Sequence, residues 1–172
     1  MRRLLACFCL LSFAAMAQAL PDALRQGATD WRVQGLGEMR WFGLRLYEAK
    51  LWVRGAAYVP EQPFALTLTY ARSIPAVRIV NASVDELRRL GSQDEATLAR
   101  WRAYMLKAFP DVAEGDSITG LYLPGQGARF WFGETLRAEI PDPVFARAFF
   151  DIWLDPRTRE PGLRERLLGQ RG

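Results

Sequence analysis

PDPVFARAFFDIWLDPRTREPGLRERLL, residues 141–168, carries the strongest fold signal in this chain. Val144, Phe145, Ala148, Phe149, Ile152 and Trp153 recur at i, i+1, i+4, i+5, i+8 and i+9, the spacing of one apolar stripe on a helix. Asp142 ahead of Pro143 reads as an N-cap followed by proline at the first helical position. Asp155-Pro156 closes the helix, because a residue before proline is pushed out of the α region. A second short helix follows, up to Leu168. A stripe this broad requires an extended apolar surface beneath it.

The residues just before it supply that surface. Ile118–Leu123, Ala128–Phe132 and Thr135–Ile140 read as three short strands joined by Pro124-Gly125-Gln126-Gly127 and Gly133-Glu134, a meander. Further back, Leu98, Trp101, Met105 and Phe109 line one face of a helix that Pro110 ends. Val77, Val80, Val84 and Leu87 mark an earlier helix reaching Leu90. Its start is left open between Ser73-Pro75 and a capping box at Ser83 with Glu86. Phe64, Leu66, Leu68 and Tyr70 alternate with smaller residues as in a half-buried strand. Trp31–Val53 reads as two strands with both faces of the second largely covered, and Gly43 as a bulge or close-approach point. Strands preceding a helical cover predict an α+β domain, an antiparallel sheet with helices on one face.

The N-terminus reads differently. Arg2 and Arg3, the apolar run Leu4–Met16 and Ala17-Gln18-Ala19 form the charged start, core and cleavage site of a secretory signal peptide over residues 1–19. The expected organisation is therefore a leader and one domain over 20–172, with a periplasmic or secreted location. Cys7 and Cys9, the only cysteines, fall inside the leader, which also carries two arginines and no acid. Removing it lowers the net charge from +4 to +2, with the basic residues scattered, so no nucleic-acid footprint is expected. No transmembrane segment is expected in the mature chain. With no histidine and no mature cysteine, zinc and copper sites and Ser-His or Cys-His nucleophiles are excluded from expectation, and no cofactor is implied. Gly35-Leu36-Gly37 lacks the third glycine of a dinucleotide loop.

Read together, several motifs resemble the chalcone isomerase-like family, in its bacterial secreted branch. They run in order: Gly35-Leu36-Gly37-Glu38-Met39-Arg40, Leu44-Arg45-Leu46-Tyr47-Glu48-Ala49 with Leu51-Trp52-Val53, Tyr70-Ala71-Arg72-Ser73, Phe109-Pro110-Asp111, Tyr122-Leu123-Pro124-Gly125, Phe145–Leu154 and Leu163-Arg164. The resemblance implies an open-faced β-sandwich, a large antiparallel sheet with a layer of helices and an apolar cleft between them. In that family's plant enzymes an arginine, threonines, a tyrosine and an asparagine organise closure of a chalcone. Of that set only Arg40 has a match here. Phe42 and Asp151 stand where those enzymes have threonine, and Asn81 lies merely near the asparagine position.

A related non-catalytic branch binds fatty acids through an arginine. The resemblance therefore implies a small apolar or amphipathic acid, fatty or aromatic, held by Arg40 with Arg72 or Tyr47 assisting, since a planar guanidinium grips a carboxylate bidentately. An arginine on a strand also serves as a surface charge or ion-pair member, and Tyr47 and Tyr70 also read as core tyrosines with bonded hydroxyls. Two alternatives stand beside ligand binding. One is an isomerase acting on an enone such as a chalcone, with Arg40 stabilising the enolate. The other is an interaction module with a filled core and no cleft.

Overall fold

Six strands follow one another in chain order across one antiparallel sheet: β1 (Trp31–Trp41), β2 (Leu44–Arg54), β3 (Phe64–Tyr70), β4 (Ser117–Leu123), β5 (Gly127–Phe132) and β6 (Thr135–Ile140). The computed structural model describes residues 20–27, 30–91 and 94–170. The expected leader over 1–19 lies outside them. Five helices stand beside them among the described residues: α1 (Asp22–Gly27), α2 (Ala76–Gly91), α3 (Glu95–Ala108), α4 (Pro143–Leu154) and α5 (Pro161–Leu167). The architecture is the expected α+β arrangement of an open sheet under helices.

The closing helix pair forms where its caps place it. The Asp142 carboxylate accepts from the Phe145 N–H at 2.9 Å, and a second carboxylate oxygen accepts from the Trp101 indole at 3.2 Å, tying α4 to α3. The apolar stripe is rotated from the expected one. Val144 is 58% exposed, whereas Phe150 and Leu154, outside the expected stripe, are buried. Packing explains the shift: α4 is flanked by α2 as well as seated on β4 and β5, so its buried arc widens toward Phe150. Gly120 in β4 makes room there, since a Cβ on it would stand 3.0 Å from both the Phe130 and Phe150 rings. Phe130 is the hub of this core, with the Phe109 and Phe149 rings each 5.2 Å away at near-perpendicular angles.

β3 is buried on both faces rather than one. Phe64, Leu66, Leu68 and Tyr70 face the helices, while Ala65 and Thr67 are covered on the other side. There the Thr67 hydroxyl bonds Thr119 at 3.0 Å and accepts from the Trp52 indole, so the buried oxygen is satisfied. Leu20, Leu24 and α1 pack on Ala65, Leu121 and Trp131 to cover this patch. Coverage of the outer face stops short of the β1–β2 end, where Leu44 is 55% exposed. That end is less enclosed than its composition suggested.

α2 begins after Pro75, the earlier of the two open starts. Its first N–H, from Ala76, donates to the Asp111 carboxylate at 2.7 Å, a cap supplied from a distant loop. The Ser83 hydroxyl instead donates to Ile79 O, so the capping-box reading fails. Gly43 is a turn residue, not a bulge: with Trp41 opposite Leu44, Phe42 and Gly43 form a two-residue hairpin turn with φ of +45° and +78°. The ladder's register shifts fall elsewhere, between Val33 and Gly35 and between Met39/Arg40 and their partners Tyr47/Arg45, the second leaving Leu46 extra. The close approaches belong to Gly35 and Gly37. A Cβ on Gly35 would stand 2.1 Å from Arg166 O, so α5 lies directly on the β1 backbone.

Candidate functional site

α2 rests mainly on α3 and α4 rather than on the sheet. The space left beneath it is a cavity of about 990 Å³, at the upper end of the ~300–1,000 Å³ typical of small-molecule sites. A reading with a filled core and no cleft does not describe this chain. The walls are apolar: Met39 and Leu46 from the first hairpin, Leu68 and Ile118 from the sheet, Ile79 from α2 and Leu163 from α5. Leu46 reaches the cavity because the bulge departs from strict alternation, so neighbouring Leu46 and Tyr47 both line it.

Polar groups enter this cavity at a few points. The Ser83 and Thr158 hydroxyls donate to the helix carbonyls of Ile79 and Ile152. The Tyr47 hydroxyl accepts from the Trp153 indole at 3.0 Å, so it is bonded, as expected of a core tyrosine. Burial pushes the Tyr47 phenol up to about 12, the Trp153 bond pulling the other way and Glu160 and Glu86 adding to the rise. Tyr70 differs from expectation. Only 3% exposed, it also lines the cavity, but its hydroxyl has no hydrogen-bond partner among the described residues. Burial, with Tyr47 nearby, raises its phenol further still. A hydroxyl at a cavity wall without a protein partner is a group that a ligand's polar atom could bond.

The cations stand at the rim. Arg40 is 56% exposed and grips the Glu38 carboxylate at 2.6 and 3.0 Å, with Gly43 O at 3.2 Å. That bond holds the Glu38 carboxyl below its ordinary range, and Arg45 and Arg166 assist. Arg159 pairs with Glu86 at 2.8 Å. Arg72 and Arg78 are exposed and carry no ion pair among the described residues. Glu160 is likewise an unpaired acid on the same rim.

The cavity thus brings Arg40, Arg72 and Tyr47 to one site, adding Tyr70 and Arg78, which the sequence reading did not select as contacts. Arg78 directly follows Val77 of the apolar line, and its position at the start of a helix after Arg72 was the available signal. Asp151 and Asn81 lie elsewhere. Asp151 pairs with Arg147 at 3.1 Å beside a shallow groove against α2, and Asn81 is exposed and meets Arg102. Phe42 occupies the rim, 92% exposed. Among the described residues no cluster of histidine, cysteine or acidic groups is arranged to hold a metal ion, and no helix is long and apolar enough to cross a membrane.

No curated protein matches the sequence. Among solved structures, a fatty-acid binding protein of Arabidopsis thaliana superposes with a TM-score of 0.64, covering 83% of this chain and 89% of that one at 14% identity. At that identity the likeness establishes a shared fold. The family model described as chalcone isomerase-like matches residues 14–169. With nearly the whole sequence spanned by the match, the chain belongs to the chalcone isomerase-like family.

Proposed function

We propose that this protein binds a small amphipathic acid, a fatty acid or an aromatic one, with its apolar body between sheet and helices and its carboxylate at the arginine rim. The observation that carries the reading is the cavity itself: apolar walls that close packing would otherwise fill, ending at cations. Arg72 is the favoured carboxylate partner because its guanidinium is unpaired, whereas Arg40 must first give up Glu38. Tyr47, already bonded to Trp153, lines the wall, and Tyr70 offers a donor to a polar atom that reaches it. The Arabidopsis protein's printed description as fatty-acid binding agrees with this class of ligand. We further propose that residues 1–19 are a cleaved leader and that the domain over 20–172 works in the periplasm or outside the cell.

Delipidated protein titrated with a fluorescent polyene fatty acid tests the reading. Saturable one-site binding is expected, weakened roughly fivefold to tenfold by Arg72→Ala, the loss of one charge-assisted contact. Binding should also be blocked by Ala82→Trp, which fills the cavity from α2. Absence of saturable binding, or binding indifferent to Ala82→Trp, overturns it. Offering an enone substrate to the same protein checks the isomerase alternative, which requires turnover that Arg40→Ala removes.

A further inference from the structure

The tip of the β1–β2 hairpin has no role in the core. Trp41 and Phe42 are 59% and 92% exposed, with their rings 5.8 Å apart, and Leu44 beside them is 55% exposed. Phe42 is the only non-glycine residue with positive φ among the described residues. A two-residue turn of this kind favours asparagine at that position, so an aromatic ring is held out in water against both burial and backbone preference. Strain of this sort, at the rim of a cavity, is a mark of function.

The surroundings narrow what such a tip meets. The Ala71 N–H donates to Leu46 O at 2.9 Å, so the strand end leading to Arg72 runs directly beside the hairpin. Arg72 and Arg78, the lining cations without an ion pair among the described residues, border the same cavity as Trp41 and Phe42. Arg40 and Arg45 both reach Glu38, two cations against one carboxylate, with Arg45 also 3.8 Å from Glu48. Paired aromatics beside Arg72 and Arg78, with Glu160 an opposing charge on the rim, complement a lipid interface, where rings settle at headgroup depth and guanidinium groups meet anionic phosphate.

We infer that the Trp41-Phe42 tip, flanked by Arg72 and Arg78, docks the cavity mouth on an anionic lipid bilayer, so that an amphipathic ligand passes between membrane and cavity without crossing water. The inference rests on the ligand-binding reading for its purpose. Its test contains no ligand, so the two readings fail separately.

Flotation with unilamellar vesicles of phosphatidylcholine and phosphatidylglycerol, against pure phosphatidylcholine, is the measurement. Because Leu4–Met16 is itself apolar, each comparison is between chains carrying the same N-terminus. The protein is expected to float with anionic vesicles and less with neutral ones. The Trp41→Ser, Phe42→Asn double variant is expected to bind about tenfold less. Arg72→Gln and Arg78→Gln should each lose roughly fivefold on anionic vesicles, the equivalent of ~1 kcal/mol per charge. Phe42→Asn alone suits the turn, so a thermal midpoint at or above the parent's keeps misfolding from mimicking the effect. Failure of the parent to float with either vesicle overturns the inference, as does equal flotation of parent and tip variant. A protein partner in place of lipid gives the first of these results.

Discussion

Tyr47 and Tyr70 face each other across the β2–β3 ladder with ring centroids 5.9 Å apart, yet among the described residues only the Tyr47 hydroxyl has a partner. Tyr47→Phe therefore orphans the Trp153 indole N–H and should lower stability by about 1–3 kcal/mol in urea unfolding. Tyr70→Phe removes a hydroxyl that bonds nothing and should change stability by less than about 0.5 kcal/mol, while altering ligand affinity. Equal losses from both would mean that the two hydroxyls share one network.

The same pair sets an alkaline limit. The folded protein holds the Tyr47 proton more tightly than the unfolded chain, with a folded value of about 12 against 10.0. Its contribution is fully present below pH 10 and is lost as pH rises from 10 through 12. At ~1.36 kcal/mol per unit the loss approaches 3 kcal/mol, less where the ring meets the open cavity. Tyr70, raised in the same direction, steepens the fall. Thermal midpoints from pH 8 to 11.5, with tyrosinate absorbance recorded alongside, should show stability dropping only above about pH 10. A flat profile would contradict the burial of these phenols.

Gly35→Ala should be among the costliest single changes in the chain. Its methyl would meet the Arg166 and Leu167 carbonyl oxygens at 2.1 and 2.5 Å, backbone atoms that move only if α5 moves. A loss of roughly 3 kcal/mol or more is expected. Gly43→Ala meets no atom within 4 Å and is strained only by its φ of +78°, so it should cost about 1–2 kcal/mol. Paired thermal melts compare them.

Phe42→Asn should stabilise. The substitution relaxes a left-handed aromatic and removes only an exposed ring contact with Trp41, so a gain of about 1 kcal/mol and a rise of roughly 3 °C in Tm are expected. Calorimetry showing a loss instead would place the Phe42 ring in a contact that its exposure hides.

What could be read in the sequence was whatever a local period encodes. Asp142-Pro143, the meander turns and the Leu98-Trp101-Met105 line all formed in place, because caps and alternation act within a few residues. Positions decided by distant partners could not be read. Gly35 and Gly37 are small because of α5, some 130 residues later, and Phe150 displaces Val144 from the core because Gly120 receives it. The Glu38–Arg40 pair was within reach, since residues two apart on a strand share a face. The cavity was not, because a void has no residue pattern: it follows from α2 resting on helices instead of on the sheet.

Sheet order follows chain order, but the last helix seats on the first strand, with Gln34 Nε2 donating to Leu168 O at 2.9 Å. The first strand and the helix over Pro161–Leu167 thus form a contact that no nascent chain can complete until that helix is made. Until then β1 is held mainly by its pairing with β2. Amide exchange in β1 should consequently rise and fall with the docking of α5, and since Leu163 also walls the cavity, that late clasp completes the cavity wall as well.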